Sequence, residues 1–246
     1  MPAWTPFARL LRHAATWAGA AAGTVALAAL GASRPAPEGP PRFTGDLTPA
    51  SVDAFIHRLD GLRPAPAWMA IDSRGGDVDA ALRLAQVIHA RGLSLVVTGL
   101  CASSCANYLF PAARQKVIAA GASVGWHGSP ASEHIDGLEQ MTADQLAAFH
   151  TMQQALVLRE QQLYATLGVD PRMLCAGDRT IERAGALGWT MPLRAMARFG
   201  VRDVVAVDHQ PIPTHVRGRA APVLVIDPQP DCQREYPPLP HAGWHD

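Results

Sequence analysis

Lysine is nearly absent from this chain, and an excess of charge of either sign is absent altogether. Lys116 is the single lysine among 21 basic residues, and 21 acidic residues bring the formal net charge to zero. No basic run indicates nucleic-acid binding, and no acidic tract indicates a solvating tail. Internal repeats are also absent, and no second apolar run matches the N-terminal one in length. These absences disfavour nucleic acid as a partner and leave one segment that could meet a membrane.

That segment is the first 33 residues, which have the composition of a targeting sequence. Arg9 and Arg12 precede an uncharged, alanine-rich stretch from Ala14 to Ala32. This order predicts a cleaved signal peptide, with an uncleaved inner-membrane anchor as the alternative. We therefore expect the rest of the chain to be periplasmic or secreted.

Proline marks both ends of the predicted folded domain. Residues 34–42 form a Pro-rich linker, and residues 208–246 contain eight prolines and no long periodic segment. Such compositions are typical of linkers and extended tails. Residues 43–207 lie between them and are numerous enough to bury one sizeable core.

Short apolar runs alternate with amphipathic helical patterns through this domain. Strands are predicted at 43–47, 68–72, 93–98, 117–118, 123–127 and 204–207. Helices are predicted from Thr48-Pro49, from Asp77 to Gly92, and at 103–111, 142–167, 171–175 and 182–187. The β–α–β alternation predicts an α/β fold with a mostly parallel sheet and right-handed crossovers. Ligands of such sheets bind at the carboxyl ends of the strands.

Three turns at those carboxyl ends carry residues suited to acyl transfer. They are Ser-Arg-Gly-Gly at 73–76, Gly-Leu-Cys-Ala-Ser-Ser-Cys-Ala at 99–106 and Ser-Val-Gly-Trp-His at 123–127. Paired glycines let backbone N–H groups approach a ligand closely. A serine that opens a helix has an exposed hydroxyl beside free N–H groups. A histidine on the next strand can serve as its base, because imidazole titrates near neutral pH.

The three motifs, in this order and at this spacing, resemble the proteolytic subunit of Clp protease and the wider ClpP/crotonase superfamily. The resemblance covers residues 43–207 and is closest to exported bacterial relatives that carry a Cys-x-Ser-x-Cys turn. It implies a ClpP/crotonase-like superhelical core of β-α-β units with a projecting helical arm. It also implies a serine peptidase that acts on peptide or protein substrates without a cofactor or metal.

The resemblance assigns roles to individual residues. Ser103 is the nucleophile and His127, 24 residues later, is the base. The oxyanion donors would be the backbone N–H groups of Gly76 and Ser104, with Gly75 as a further candidate. Small N-cap residues and a tight glycine turn are the structural alternative for the same positions.

A serine–histidine pair of this kind also needs a carboxylate that orients the imidazole. Asp178 is the candidate, because its Asp-Arg pair resembles the Asp-Arg that follows the arm of the Clp subunit. Its distance from Gly188 is shorter than in that family, and Asp170 is the alternative. A surface helix cap would explain either residue, so a Ser–His dyad or an inactive site stays open.

The four cysteines predict disulfides, since their number is even and the chain is expected to be exported. Cys101 and Cys105 bracket Ser103 and are expected to pin its turn, either to each other or to Cys175. Cys232 would pin the tail. Buried free thiols are the alternative, whereas zinc binding lacks a partner pair and a cysteine nucleophile would be removed by oxidation.

The helix at 142–167 corresponds, in the resemblance, to the arm that mediates contacts within a homo-oligomer. Taken alone, its pattern also fits packing against the core. The competing function is a catalytically inactive binding or scaffold protein of the cell envelope. An acyl-CoA enzyme fits poorly outside the cytoplasm, and a serine–lysine hydrolase fits poorly because Lys116 follows the nucleophile helix.

Overall fold

The computed structural model describes residues 39–130, 138–178, 180, 188–208 and 223–228. All of them belong to the unit that spans 38–246. The targeting segment, most of the linker, the helix predicted at 182–187, Cys232 and most of the predicted tail lie outside the described residues.

Strands and helices alternate along the described chain. The strands are β1 (Arg42–Thr44), β2 (Trp68–Ser73), β3 (Ser94–Ala102), β4 (Lys116–Ile118), β5 (Ser123–Gly125), β6 (Gly188–Thr190), β7 (Val204–Ala206) and β8 (Val223–Val225). The α-helices are α1 (Pro49–Gly61), α2 (Val78–Ala90), α3 (Phe110–Ala112), α4 (Ala143–Leu167) and α5 (Leu193–Arg198). A π-helical turn covers Cys105–Leu109, and 3₁₀ turns cover Leu138–Gln140 and Pro171–Leu174.

The main sheet is parallel throughout, which confirms the predicted α/β class. Its order is β1-β2-β3-β4-β7, and β5 also pairs with β3. The first half of β3 pairs with β4, and its last residues, Leu100 to Ala102, pair with β5. The carboxyl end of β3 therefore lies between β2 and β5, where the three sequence motifs meet.

The three long helices, α1, α2 and α4, begin at capping residues that the sequence offers. The side chain of Thr48 accepts a hydrogen bond from the Ser51 N–H, and the Ser51 side chain returns one to Thr48. Asp77 caps α2, and Thr142 caps α4. Each cap satisfies a backbone donor that the first helical turn leaves open. Apolar residues of α1 and α2 belong to the core, together with buried residues of the strands.

Several boundaries differ from the sequence-based expectation. Strand β3 runs four residues further than predicted, and β5 ends at Gly125 before His127. Helix α5 was not predicted. Part of the predicted tail is a strand, because β8 pairs with β6 in a small parallel sheet. These differences arise from pairing between distant segments, which the local pattern does not encode.

Lys116 lies at the start of β4, at the end of the sheet opposite the three motifs. It is 4% exposed, and its Nζ donates to the carbonyls of Ala113 at 2.7 Å and Arg202 at 3.0 Å. Burial lowers the pKa of Lys116 to about 8, although the nearby Asp203 carboxylate opposes this effect. The position of Lys116 supports the exclusion of a serine–lysine mechanism.

The depressed pKa predicts that stability rises with pH in a defined window. Below about pH 8 Lys116 is charged in both the folded and the unfolded chain, so folding carries the full cost of desolvating that charge. Between about pH 8 and 10.5 the unfolded chain keeps a proton that the folded chain has released, so the free energy of unfolding increases with pH. Urea unfolding of the wild type against Lys116→Met, from pH 7.5 to 9.5, measures this difference. Parallel curves for the two proteins would contradict it.

Candidate active site

Ser103 lies in a sharp turn between β3 and the π-helical turn. Its φ is 55°, a left-handed backbone conformation that residues other than glycine seldom adopt. Two backbone hydrogen bonds hold it there. The Ser103 N–H donates to the Gly125 carbonyl at 3.0 Å, and the Asn107 N–H donates to the Ser103 carbonyl at 2.8 Å. The sheet and the following helical turn thus fix a backbone geometry that costs about 1–2 kcal/mol for an L-residue.

His127 lies beside Ser103 because β5 is paired in register with the end of β3. Ala102 is opposite Gly125, so Ser103 and His127 follow within two residues of the paired strand ends. The His127 Nε2 is 2.7 Å from the Ser103 Oγ, within hydrogen-bonding distance. Both residues are partly exposed. With neutral Nε2 as the acceptor, the Ser103 hydroxyl donates to the ring, which is the arrangement that general-base activation of a serine requires.

A disulfide joins Cys101 to Cys105 across the nucleophile turn. The Cα atoms are 5.2 Å apart and both residues are fully buried. This pairing decides between the two alternatives that the sequence left open, since Cys101 and Cys105 bond to each other. Cys175 is disulfide-bonded as well, and none of the described cysteines is a free thiol.

The glycine turn at 75–76 is held against the nucleophile turn by the side chain of Ser104. The Gly76 N–H donates to the Ser104 Oγ at 2.9 Å, and the Ser104 hydroxyl donates back to the Gly76 carbonyl at 3.0 Å. The Gly75 N–H donates to the Ser73 Oγ at 3.1 Å. The Ser104 N–H has no acceptor in the described part of the chain. One predicted oxyanion donor is therefore open, and the other is engaged by a hydroxyl whose role the sequence did not predict.

Gly75 packs directly on the nucleophile turn. A Cβ placed on it would lie 2.6 Å from the Ala102 carbonyl oxygen, 2.7 Å from the Ser103 Cβ and 2.9 Å from the Ser104 nitrogen. Its φ of 93° is also in the glycine-favoured region. Glycine is required here both for the backbone conformation and for the close approach of two chain segments.

The candidate carboxylates are not hydrogen-bonded to the base. Among the described residues no hydrogen bond joins Asp178 or Asp170 to the His127 ring. Asp178 lies just after the 3₁₀ turn, and its N–H donates to the Cys175 carbonyl at 3.2 Å. Asp170 caps that turn and binds Arg172. Burial raises the pKa of Asp170, but the hydrogen bonds and charge of Arg172 outweigh this and leave it lowered.

A buried polar network beside the site was missed by the sequence analysis. It consists of Asn107 and Tyr108 on the π-helical turn, Ser129 after the base, and Glu160 and Tyr164 on α4, all nearly or fully buried. Burial, together with the Glu160 carboxylate, raises the pKa of Tyr108 well above its ordinary value. The only available signal was polar residues on the inner face of the predicted helix, and that pattern does not distinguish a buried network from a solvated surface.

No protein-family model matches the chain, and a search of curated proteins finds no significant match. Across residues 39–208 and 223–228, as far as they are described, no group of three or more His, Cys, Asp or Glu side chains could hold a metal ion. Within the same residues, no helix is long and apolar enough to cross a membrane. The geometry of Ser103, His127 and their neighbours must therefore carry the functional conclusion.

Proposed function

We propose that this protein is a serine hydrolase that cleaves peptide bonds through an acyl-enzyme on Ser103, with His127 as the base. The observation that carries the proposal is the 2.7 Å contact between the Ser103 Oγ and the His127 Nε2. A serine hydroxyl is a weak nucleophile without an adjacent base, and the nearby imidazole of His127 supports the proposal that it serves as that base. The parallel α/β core and the order of the motifs favour a ClpP/crotonase-like fold, for which peptides or proteins are the expected substrates.

The reaction follows from the positions of these groups. The Ser103 Oγ attacks the substrate carbonyl while His127 Nε2 takes the hydroxyl proton, and the tetrahedral oxyanion accepts from the Ser104 N–H. His127 then gives its proton to the leaving amine, which departs and leaves an ester on Ser103. Water, deprotonated by His127, attacks this ester, and His127 returns the proton to the Ser103 Oγ as the Oγ–acyl bond breaks and the acid leaves. No cofactor or metal enters these steps.

The second oxyanion donor would be the Gly76 N–H, after a rotation of the Ser104 hydroxyl. That hydroxyl now binds both the N–H and the carbonyl of Gly76. A substrate carbonyl could replace it as the acceptor of the Gly76 N–H. Such an exchange would complete the oxyanion hole only when substrate is bound.

Assembly through α4 is part of the same proposal. In this 25-residue helix the buried residues are Glu160, Gln161, Leu163 and Tyr164, all in its C-terminal part. The N-terminal part carries exposed apolar side chains such as Met152, which is 54% exposed. This pattern favours a projecting arm and a homo-oligomer over packing along the whole helix.

The alternative is a catalytically inactive scaffold protein with the same fold. Two observations favour it: no described carboxylate is hydrogen-bonded to His127, and the Gly76 N–H is occupied. A triad normally uses the carboxylate to orient the imidazole and stabilise its positive charge.

Labelling with a fluorophosphonate decides between hydrolase and scaffold. The probe should attach to Ser103 of the wild type and leave Ser103→Ala unlabelled, because only an activated serine attacks it. Mass spectrometry of a digest would locate the adduct. A wild type that remains unlabelled would support the scaffold function.

We further propose that residues 1–33 direct export and that the folded domain works in the periplasm or outside the cell. The buried Cys101–Cys105 disulfide supports this location, since disulfides persist in oxidising compartments. A fusion of residues 1–40 to a reporter active only in the periplasm should be active. A fusion that is inactive, with the reporter retained in the cytoplasm, would refute export.

A further inference from the structure

The loop that follows the base is anchored at three consecutive residues. The carbonyl of Gly128 accepts from the Asn107 Nδ2 at 2.7 Å. The Ser129 hydroxyl donates to the Glu160 Oε1 at 3.2 Å, and the Pro130 carbonyl accepts from the Gln153 Nε2 at 2.9 Å. His127 immediately precedes this loop and β5 ends before it. Side chains of the π-helical turn and of α4 therefore determine where the base lies.

Glu160 is the residue that joins the three segments of the site. It is fully buried on α4, and its Oε2 accepts from the Tyr108 hydroxyl at 2.7 Å. Tyr108 belongs to the helical turn that opens at the nucleophile, and Ser129 belongs to the loop after the base. A buried carboxylate is costly unless hydrogen bonds satisfy it, so its position is tightly specified by these donors.

A second buried hydrogen bond connects α4 to the π-helical turn, one helical turn further along α4 than Glu160. The Tyr164 hydroxyl donates to the Asn107 carbonyl at 2.6 Å. Asn107 in turn binds the Ser103 carbonyl through its N–H and the Gly128 carbonyl through its side chain. The inner face of α4 thus contacts both the nucleophile turn and the base loop through buried hydrogen bonds.

We propose that Glu160 is a positioning residue of the site, which holds His127 in reach of Ser103 through Ser129 and holds the nucleophile turn through Tyr108. The inference rests on the proposed hydrolase function. Glu160 does not touch the reacting atoms, so it acts on the rate of bond formation and not on probe binding. A misplacement of a reacting group by about 1 Å can cost about 100-fold in rate.

The test measures the two constants of fluorophosphonate inactivation, KI for reversible binding and kinact for the covalent step. Glu160→Gln keeps the shape of the side chain but removes its charge and one acceptor oxygen. We expect its kinact to fall by about 10-fold or more, with KI unchanged within about twofold. The matched control is Glu139→Gln, the same substitution at an exposed residue of a 3₁₀ turn, which should behave as the wild type.

A double-mutant cycle separates positioning from general destabilisation. Ser129→Ala removes the other partner of the Ser129–Glu160 hydrogen bond, so it should also lower kinact. Because both substitutions break the same bond, the double variant should react no more slowly than Glu160→Gln alone. All rates are measured where circular dichroism shows each variant fully folded. If Glu160→Gln does not fold, Ser129→Ala alone carries the test against the wild type.

The outcomes are distinct for the two proposals. An unlabelled wild type overturns the hydrolase function and this inference with it. A labelled wild type with an unchanged kinact in folded Glu160→Gln, or additive losses in the cycle, overturns the positioning role and leaves the hydrolase intact. A change confined to KI would also overturn it.

Discussion

His127→Ala should lose fluorophosphonate labelling as completely as Ser103→Ala, by about 1,000-fold or more. The reason is the 2.7 Å contact between the two side chains, through which the proposed mechanism makes them act as one unit. When either member of such a unit is removed, the remaining member contributes almost nothing on its own. The labelling rate of each variant, measured under one set of conditions, provides the comparison.

His150→Ala is the matched control for this prediction. His150 is exposed on α4, and its replacement should leave labelling unchanged. If His127→Ala kept a substantial part of the wild-type rate, another group would be activating Ser103 and the assignment of the base would be wrong.

Gly75→Ala should strongly slow labelling and also lower stability. The new methyl group would lie 2.6–2.9 Å from atoms of Ala102, Ser103 and Ser104, all in the nucleophile turn. Relief of this overlap must move the glycine turn or the serine, and overpacking of this kind typically costs about 1–3 kcal/mol. We expect a fall in the labelling rate of about 100-fold or more, because the reacting oxygen moves relative to His127.

Gly45→Ala is the control that separates the steric overlap at Gly75 from the strain of a positive φ. Gly45 has a φ of 103°, close to the 93° of Gly75, but a Cβ there would meet no atom within 4 Å. This variant should lose about 1 kcal/mol of stability from the unfavourable φ and should still be labelled. Thermal unfolding and labelling of both variants test the contrast, and equal labelling of the two would show that the close approach at Gly75 has no effect on the nucleophile.

The sequence predicts best the features that depend on residues close together along the chain. The caps at Thr48, Asp77 and Thr142 mark the starts of helices because their side chains bond to backbone groups three residues away. Runs of apolar residues mark the strands, because the pattern of apolar residues reflects which face of a strand is buried. The alternation of these elements was sufficient to predict a parallel α/β sheet, and with it the edge at which Ser103 and His127 meet.

Contacts between distant segments could not be predicted in this way. Whether Cys101 bonds to Cys105 or to Cys175 depends on distances that the spacing alone does not specify. The resemblance of its Asp-Arg pair to that of the Clp subunit suggested Asp178 as the orienting carboxylate, although the spacing to Gly188 is shorter than in that family. The described structure shows no hydrogen bond between Asp178 and the His127 ring.

The chain by itself thus determined the class of the fold, because the alternation of strands and helices follows from local periodicity. It also indicated a serine turn and a histidine suited to acyl transfer, and the resemblance to the Clp subunit singled out Ser103 and His127 among them. Only the tertiary structure decided the length of β3, the occupation of the Gly76 N–H by Ser104, and the place of Glu160 between Tyr108 and Ser129. Each of these depends on a partner far away in sequence. A glutamate on a helix has the same local pattern in water and in the core, and the hydroxyl groups of Tyr108 and Ser129 that the fold brings to Glu160 offset the cost of its burial.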